Sequence, residues 1–180
     1  PTWAAFFCEA LCDHVVHQMQ PHGHVSEDNA RWLMQHIDRD GRVDNVTELD
    51  LLVVILEQAK TVPESLSAYA LAQVRHAVVS GDGPLRSGKS LAAGIVDQAD
   101  IELLRRILYA YAGGGNIAVT AAEADVLFDI NDATADAENH PAWNDLFAKA
   151  IANHLMFATN HAPVSRTEAL RQEAWVSDTS

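Results

Sequence analysis

The segment GPLRSGKS, residues 83 to 90, contains the residue types of a phosphate-binding loop at the required spacing. The motif G-x-x-x-x-G-K-[ST] is met by Gly83, Gly88, Lys89 and Ser90. In such a loop the backbone N–H groups surround the phosphates, the lysine neutralises their charge and the serine hydroxyl binds Mg²⁺. Nucleotide binding through these four residues is therefore one hypothesis for this chain.

The residues around this motif indicate a helical context instead of an α/β context. A phosphate loop follows a buried parallel strand and opens a long helix. Here the preceding segment ALAQVRHAVVSG has helical spacing of its apolar residues, and a new helix cap is predicted at Asp97, soon after Gly94. We therefore favour a loop between two helices. Its basic residues Arg86 and Lys89 raise the question of an exposed anion or partner contact.

Two acidic loops contain the oxygen ligands that a hard cation such as Ca²⁺ or Mg²⁺ prefers. The loop at residues 37 to 49 resembles an EF-hand and offers four carboxylates: Asp38, Asp40, Asp44 and Glu48. With Gly41 at the sixth loop position, however, His36 and Thr47 occupy the first and twelfth positions, where carboxylates belong. A second loop, residues 129 to 143, contains Asp132, Asp136 and Glu138. The alternative for both loops is that the carboxylates are solvated and stabilise helix N-termini without a metal.

Four histidines within eleven residues form a further candidate metal site, for zinc or nickel: His14, His17, His22 and His24. Packing is the alternative for His14, because it lies on an apolar stripe and recurs as His154. Cys8 and Cys12 are one helical turn apart, and we expect them to pack as small residues and not to act as nucleophiles.

The composition favours a protein partner over nucleic acid. The chain of 180 residues has 25 acidic and 12 basic side chains and a net charge of −13, which disfavours broad attraction to nucleic acid or to an anionic membrane. No apolar run reaches the ~18 residues of a membrane span, so we expect no direct membrane insertion. Two cysteines without further partners favour a reducing compartment, and we predict a cytoplasmic protein that requires no cofactor. The first residue is Pro and not Met, which indicates a fragment or a processed form.

The chain contains an internal repeat. PTWAAFFCEALCDHV at residues 1 to 15 aligns without a gap with PAWNDLFAKAIANHL at residues 141 to 155. A second offset, of 94 residues, aligns residues 25 to 33 with 119 to 127 and residues 47 to 59 with 141 to 153. We therefore divide the chain into a Trp-containing helix at 1 to 20, a main helical unit at 21 to 160 and a C-terminal helix and tail at 161 to 180.

The apolar spacing predicts an all-α fold, an array of short helices with internal helix-loop-helix repeats and no substantial sheet. Residues 62 to 80 should form one helix with a Thr61–Glu64 capping box, and residues 98 to 112 another. The motif G-x-V-[S/D], which recurs between the predicted helices, predicts helix caps at Ser26, Asp44 and Asp97. A longer variant of the motif predicts a cap at Thr120. Trp3 and Trp143 fall on the apolar faces of their helices, and we expect both in the core.

The segment DGRVDNVTELDLLVVILEQAKTVPESL, with a weaker recurrence at GIVDQADIELLRRIL, resembles the tellurite-resistance TerB-like family of helical domains. The resemblance covers residues 25 to 130. It implies a bacterial, intracellular, non-enzymatic module linked to stress or envelope complexes, with metal ligands at Asp40, Asp44 and Glu48. The leading hypothesis is a non-catalytic, acidic, helical module that binds a protein partner. Calcium binding by an EF-hand-like loop and nucleotide binding by GPLRSGKS are the alternatives.

Overall fold

The fold is all-α, as the sequence predicts. A computed structural model describes residues 2–37, 42–43, 45–86, 93–110 and 118–158. Within these ranges there are seven α-helices and no β-strand; an isolated bridge joins His24 to Thr61. The helices are α1 Trp3–Cys12, α2 Glu27–Ile37, α3 Val46–Gln58, α4 Glu64–Ser80, α5 Gln98–Tyr109, α6 Ala121–Ala133 and α7 Ala142–Ala158. A π-helix, Asp13–Gln18, continues α1, and a 3₁₀ turn, Pro84–Arg86, follows α4.

The core forms around α3 and α4. The sequence LDLLVVIL gives α3 a wide apolar face that must be buried, while Val46, Asp50, Glu57 and Gln58 form a narrow exposed stripe. Accordingly α3 contacts α1, α4 and α5, while α4 contacts α2, α5 and α6. On the far side, α7 packs against α5 and α6. All seven helices contribute to one hydrophobic core.

Three of the four predicted helix caps are confirmed, and the fourth is wrong by one residue. The side chains of Ser26, Asp97 and Thr120 each accept a hydrogen bond from the backbone N–H three residues later. The N-cap of α3 is Asn45 and not Asp44, and its Oδ1 accepts from the Glu48 N–H at 3.1 Å. Val43, shortly before this cap, lies in the core and is 2% exposed.

The predicted Thr61–Glu64 capping box is also wrong. The helix α4 begins after Pro63, which gives it no side-chain cap. The Thr61 hydroxyl instead forms a 2.8 Å hydrogen bond with His24 Nδ1, beside the bridge between these two residues. The Thr61 hydroxyl, which the capping-box motif predicts to cap α4, is therefore used in a contact between two loops.

The predicted helix ends agree closely with the structure. The 62 to 80 helix spans Glu64–Ser80 and ends at Gly81, whose φ of 72° is the left-handed conformation that glycine adopts without strain. The 98 to 112 helix spans Gln98–Tyr109. The glycines after it, and the predicted C-terminal helix and tail at 161 to 180, lie outside the described residues.

Arg86 is buried, and the suggestion that it forms an exposed contact is wrong. Its guanidinium donates two hydrogen bonds to the Asp100 carboxylate, each 2.8 Å long, and a third to the Ile95 carbonyl at 3.2 Å. The side chains of this ion pair are 3% and 0% exposed. Asp100 also accepts a hydrogen bond from the Asp97 N–H, so the ion pair is joined to the capping box of α5.

We predict that Arg86→Met destabilises the fold by about 3–5 kcal/mol, because the substitution leaves the Asp100 carboxylate buried without its cation. The matched control is Arg106→Met, which breaks the Arg106–Glu57 pair at the surface and should change the free energy of unfolding by less than about 1 kcal/mol. Urea unfolding followed by circular dichroism measures both. Equal losses for the two variants would contradict the structural role of the buried pair.

Candidate functional site: the outer face of the first helix

The helix α1 exposes two large aromatic side chains. Trp3 is 74% exposed and Phe6 is 63% exposed, and Ala10 lies beside them one turn further along. These three residues form what we call the outer face of α1. The expectation that Trp3 lies in the core is therefore wrong, whereas for Trp143, which is 1% exposed, the expectation is confirmed.

The same positions in α7 are buried. Trp143, Leu146 and Ala150, which align with the outer face of α1, lie in the core where α7 packs against α5 and α6. An edge-to-face contact between Phe147 and Phe128 of α6, with ring centroids 5.4 Å apart, adds to this packing. The helical face that α1 leaves open is thus covered in its closest sequence copy.

The same positions are buried in α3 as well. The two repeat offsets together align Trp3 with Leu49, Phe6 with Leu52 and Ala10 with Leu56, and these three leucines are fully buried. One helical face therefore occurs three times along the chain and is covered twice. A more polar sequence does not explain why this face is exposed in α1. The exposed copy carries two large aromatic side chains, Trp3 and Phe6.

A second apolar face explains why α1 turns its aromatic residues outward. Cys12, Val15 and Val16 are buried, and the Cys8 thiol donates a hydrogen bond to the Thr47 carbonyl at 3.4 Å. These four residues are the inner face of α1, which packs towards α3. Val15 and Val16 lie in the π-helix Asp13–Gln18, which continues α1 and has more residues per turn than an α-helix.

The two copies of the repeated helix bury opposite faces. In α7 the positions that match the inner face of α1 are exposed: Ala148, Ala152, Leu155 and Met156. Each copy therefore has one covered face and one open face. This arrangement follows from their neighbours, because α1 meets α3 whereas α7 meets α5 and α6.

The inner-face thiols do not form a reactive centre. Burial, with a smaller contribution from Asp13, raises the pKa of the Cys12 thiol to about 11. Burial and the nearby Asp50 also raise the pKa of the Cys8 thiol. A nucleophilic cysteine needs a lowered pKa, so both thiols remain protonated at neutral pH, as the packing interpretation predicts.

The outer face is large enough to anchor a partner but too small to be a whole interface. From their exposed fractions, Trp3 and Phe6 together present roughly 250 Å² of aromatic surface. Stable complexes bury about 800 Å² on each partner, so the surroundings of α1 must supply the remainder. Trp3 is held ready by stacking on the half-buried Phe7, with ring centroids 5.1 Å apart.

The phosphate-loop motif lies in the helical context that the sequence predicts. The helix α4 precedes it, and Gly83 follows the end of α4 with a φ of 90°. Gly88, Lys89 and Ser90 lie outside the described residues. Among the described residues that precede Gly83 there is no buried strand, the element that positions a phosphate loop.

The candidate cation ligands are only partly described. Asp38, Asp40 and Asp44 lie outside the described residues, and Glu48 occupies the first turn of α3. Asp132 lines a cavity of about 290 Å³ beside α4, whereas Glu138 lines a different cavity of about 490 Å³ beside α7, and neither cavity is lined by Asp136. Among the residues that the structure describes, no group of three or more His, Cys, Asp or Glu is arranged to hold a metal ion.

The four clustered histidines have separate environments. His14 bonds to Gln18 at 3.2 Å, His22 to Gln20 at 2.7 Å and His24 to Thr61 at 2.8 Å. His17 lines a hollow of about 450 Å³ between α1 and α3. The structure does not bring the four rings together around a common point.

The structure brings together one set of residues that the sequence motifs did not indicate. His76 Nδ1 lies 3.2 Å from the Ser80 hydroxyl, and its Nε2 lies 2.5 Å from the Asp82 carboxylate. The spacing of four between His76 and Ser80, followed by the left-handed Gly81, is the signal that could have revealed it. A hydrolase with such a set of residues also needs hydrogen-bond donors that stabilise an oxyanion. The adjacent cation, Arg75, does not supply them because it is bound to Asp129 at 2.6 Å. We therefore interpret these contacts as structural: they stabilise the C-terminal end of α4.

Comparison of the chain with models of protein families, with curated proteins and with solved structures gives no match. Among the described residues, no helix is long and apolar enough to cross a membrane. The outer face of α1 is the feature from which we infer function.

The two equivalent tryptophans should differ sharply in their contribution to stability. Trp143→Ala removes a buried indole and should cost about 3–5 kcal/mol. Trp3→Ala, the matched control in the repeated helix, removes an exposed indole and should change the free energy of unfolding by less than about 1 kcal/mol. Urea unfolding measures both values, and similar losses for the two variants would show that Trp3 is buried in solution.

The EF-hand-like hypothesis makes a separate prediction. Calcium bound by the loop at residues 37 to 49 should raise the melting temperature, because a ligand that binds only the folded state stabilises it. Asp40→Ala combined with Glu48→Ala should remove the shift, while Glu102→Ala combined with Asp125→Ala, at exposed positions outside both acidic loops, is the matched control for charge. An unchanged melting temperature at millimolar Ca²⁺ would reject the hypothesis.

Proposed function

We propose that this chain is a non-catalytic, helical interaction module that binds a protein partner through the outer face of α1. The observation that carries the proposal is the exposure of Trp3 and Phe6 on a helical face that is buried in both sequence copies, α3 and α7. Aromatic side chains presented on a rigid element are the residues that most often anchor protein interfaces.

The chemistry around the outer face suggests what kind of partner fits it. Glu9 in α1 and Asp13 directly after it are exposed acidic residues, and the first 30 residues contain no lysine or arginine. An acidic rim favours a partner whose own rim is neutral or basic, and it disfavours nucleic acid. The partner that we propose therefore has an apolar groove for the two aromatic rings and no excess of negative charge at its edge.

The proposed setting is the bacterial cytoplasm. Cys8 and Cys12 are free thiols, which are typical of a reducing compartment. The TerB-like resemblance stays a prediction, and it implies a role in a stress- or envelope-linked complex. No cofactor is required for the proposed activity, although a divalent cation that orders the loop at residues 37 to 49 is compatible with it.

The proposal predicts that Trp3→Ala combined with Phe6→Ala abolishes partner binding while the fold is retained. The immobilised wild-type chain and this variant are compared as baits for extracts of the source cell, with quantitative mass spectrometry of the retained proteins. The matched control is Val46→Ala combined with Val79→Ala, which trims exposed apolar side chains elsewhere. The control should retain the same partner as the wild type.

Two results would contradict this function. In one, the wild-type chain and the Trp3→Ala/Phe6→Ala variant retain the same proteins in equal amounts. In the other, the control loses the partner as completely as the outer-face variant does. Circular dichroism of each bait ensures that a loss of binding is not a loss of fold.

A further inference from the structure

We infer that the outer face of α1 fits the groove between α5 and α6 of a second copy of this chain, in the place that α7 occupies within its own copy. The inference rests on the proposed function and names the partner of that same face. In the copy that is covered, the groove formed by α5 and α6 buries the residues that match the outer face, so the fold itself contains a complementary surface.

Most of the sequence identity between the two helices falls on one stripe, which includes Trp3 and Ala10 of the outer face. Residues 1 to 15 and 141 to 155 share five identities, and four of them fall at helical spacings on one stripe: Trp3 with Trp143, Phe7 with Phe147, Ala10 with Ala150 and His14 with His154. The inner-face positions of α1 share no identity with their counterparts in α7. The two helices are therefore alike on the face that enters the groove and different on the opposite face.

The other apolar positions of the two helices are also similar in chemistry. Phe6 replaces Leu146, and Leu11 replaces Ile151; both pairs exchange one apolar side chain for another. In α7 the side chain of Asn153 accepts from the Val119 N–H at 2.8 Å, and His154 bonds to the Val119 carbonyl at 2.8 Å. The aligned residues Asp13 and His14 are also an acceptor and an imidazole ring, but they lie in the π-helix after α1 and bond to Gln18.

The inner face of α1 does not have to be released for this docking. It stays on α3 of its own copy, while the outer face enters the groove of the next copy. Contact of one surface with a different surface of the next copy is heterologous, so association through it gives a series of sizes and not a closed dimer. In the wild-type chain α7 fills the groove in cis, at a high effective concentration, and it limits this association.

Weakening α7 in the full-length chain tests the inference. Trp143→Ala removes the main anchor of α7 and should give concentration-dependent oligomers in analytical ultracentrifugation. Adding Trp3→Ala and Phe6→Ala to the same chain should return it to a monomer. Each copy carries a net charge of −13, so the measurements are made at physiological salt, where exposed charges beyond a Debye length are screened.

A peptide provides a second test that does not depend on the stability of the Trp143→Ala chain. A fluorescent peptide of residues 1 to 18 should bind the wild-type chain and be displaced by an unlabelled peptide of residues 141 to 158. The same peptide with Trp3→Ala should bind at least tenfold more weakly. Leu146→Ala in the chain weakens α7 less than Trp143→Ala does. It should strengthen binding of the labelled peptide, because the weakened α7 competes less for the groove.

The inference is overturned if the Trp143→Ala chain keeps its helical circular dichroism and remains monomeric. It is equally overturned if the peptide does not bind, or binds the same with and without Trp3. When these tests fail but the Trp3→Ala/Phe6→Ala bait still loses a different protein, the proposed function stands and its partner is not a second copy. When the bait also loses nothing, the proposed function itself is wrong.

Discussion

The need to cover the wide apolar face of α3 is the constraint on which the rest of the structure depends. Leu51, Leu52, Ile55 and Leu56 are each fully buried although they point in different directions around the helix. A narrow stripe of α3 that carries Asp50, Glu57 and Gln58 faces solvent, and three neighbouring helices cover its wide apolar face. The helix α1 meets this need with its cysteines and valines, and as a result its aromatic residues face outward.

The buried ion pair has a different role, which is to fix the position of α5. Arg86 comes from the turn after α4 and binds Asp100 in the first turn of α5, so the pair sets the angle at which the chain re-enters the core. A buried ion pair adds little net stability over apolar packing, but it penalises any arrangement that separates its partners. Because α5 forms one wall of the groove that holds α7, the ion pair indirectly shapes the groove as well.

Local chemistry made most of the fold predictable from the sequence. Helical spacing and caps such as Asp97 and Thr120 depend on residues within one turn of each other, and they were assigned correctly. Apart from the one-residue shift of the α3 cap to Asn45, the errors occurred where a distant residue competes for the same group. Thr61 bonds to His24 rather than capping α4, and Arg86 finds a carboxylate 14 positions away. The exposure of Trp3 could not be predicted for the same reason: α1 has two apolar faces, and the choice between them depends on where α3 lies.

The exposed faces of α1 and α7 have the same origin: the repeated helix has two apolar faces, and each copy buries a different one. A helix with two apolar faces can be fully covered only between two layers, one that resembles α3 and one that resembles the groove between α5 and α6. Each copy in this chain has one of these layers, and the layer that each lacks is present on the other side of the same molecule. Exposed aromatic surface of this kind favours association, since removing apolar area from water is the main driving force for contact. The repeated sequence and the opposite burial of its two copies therefore point to the same property, a helix suited to lie between two helical units.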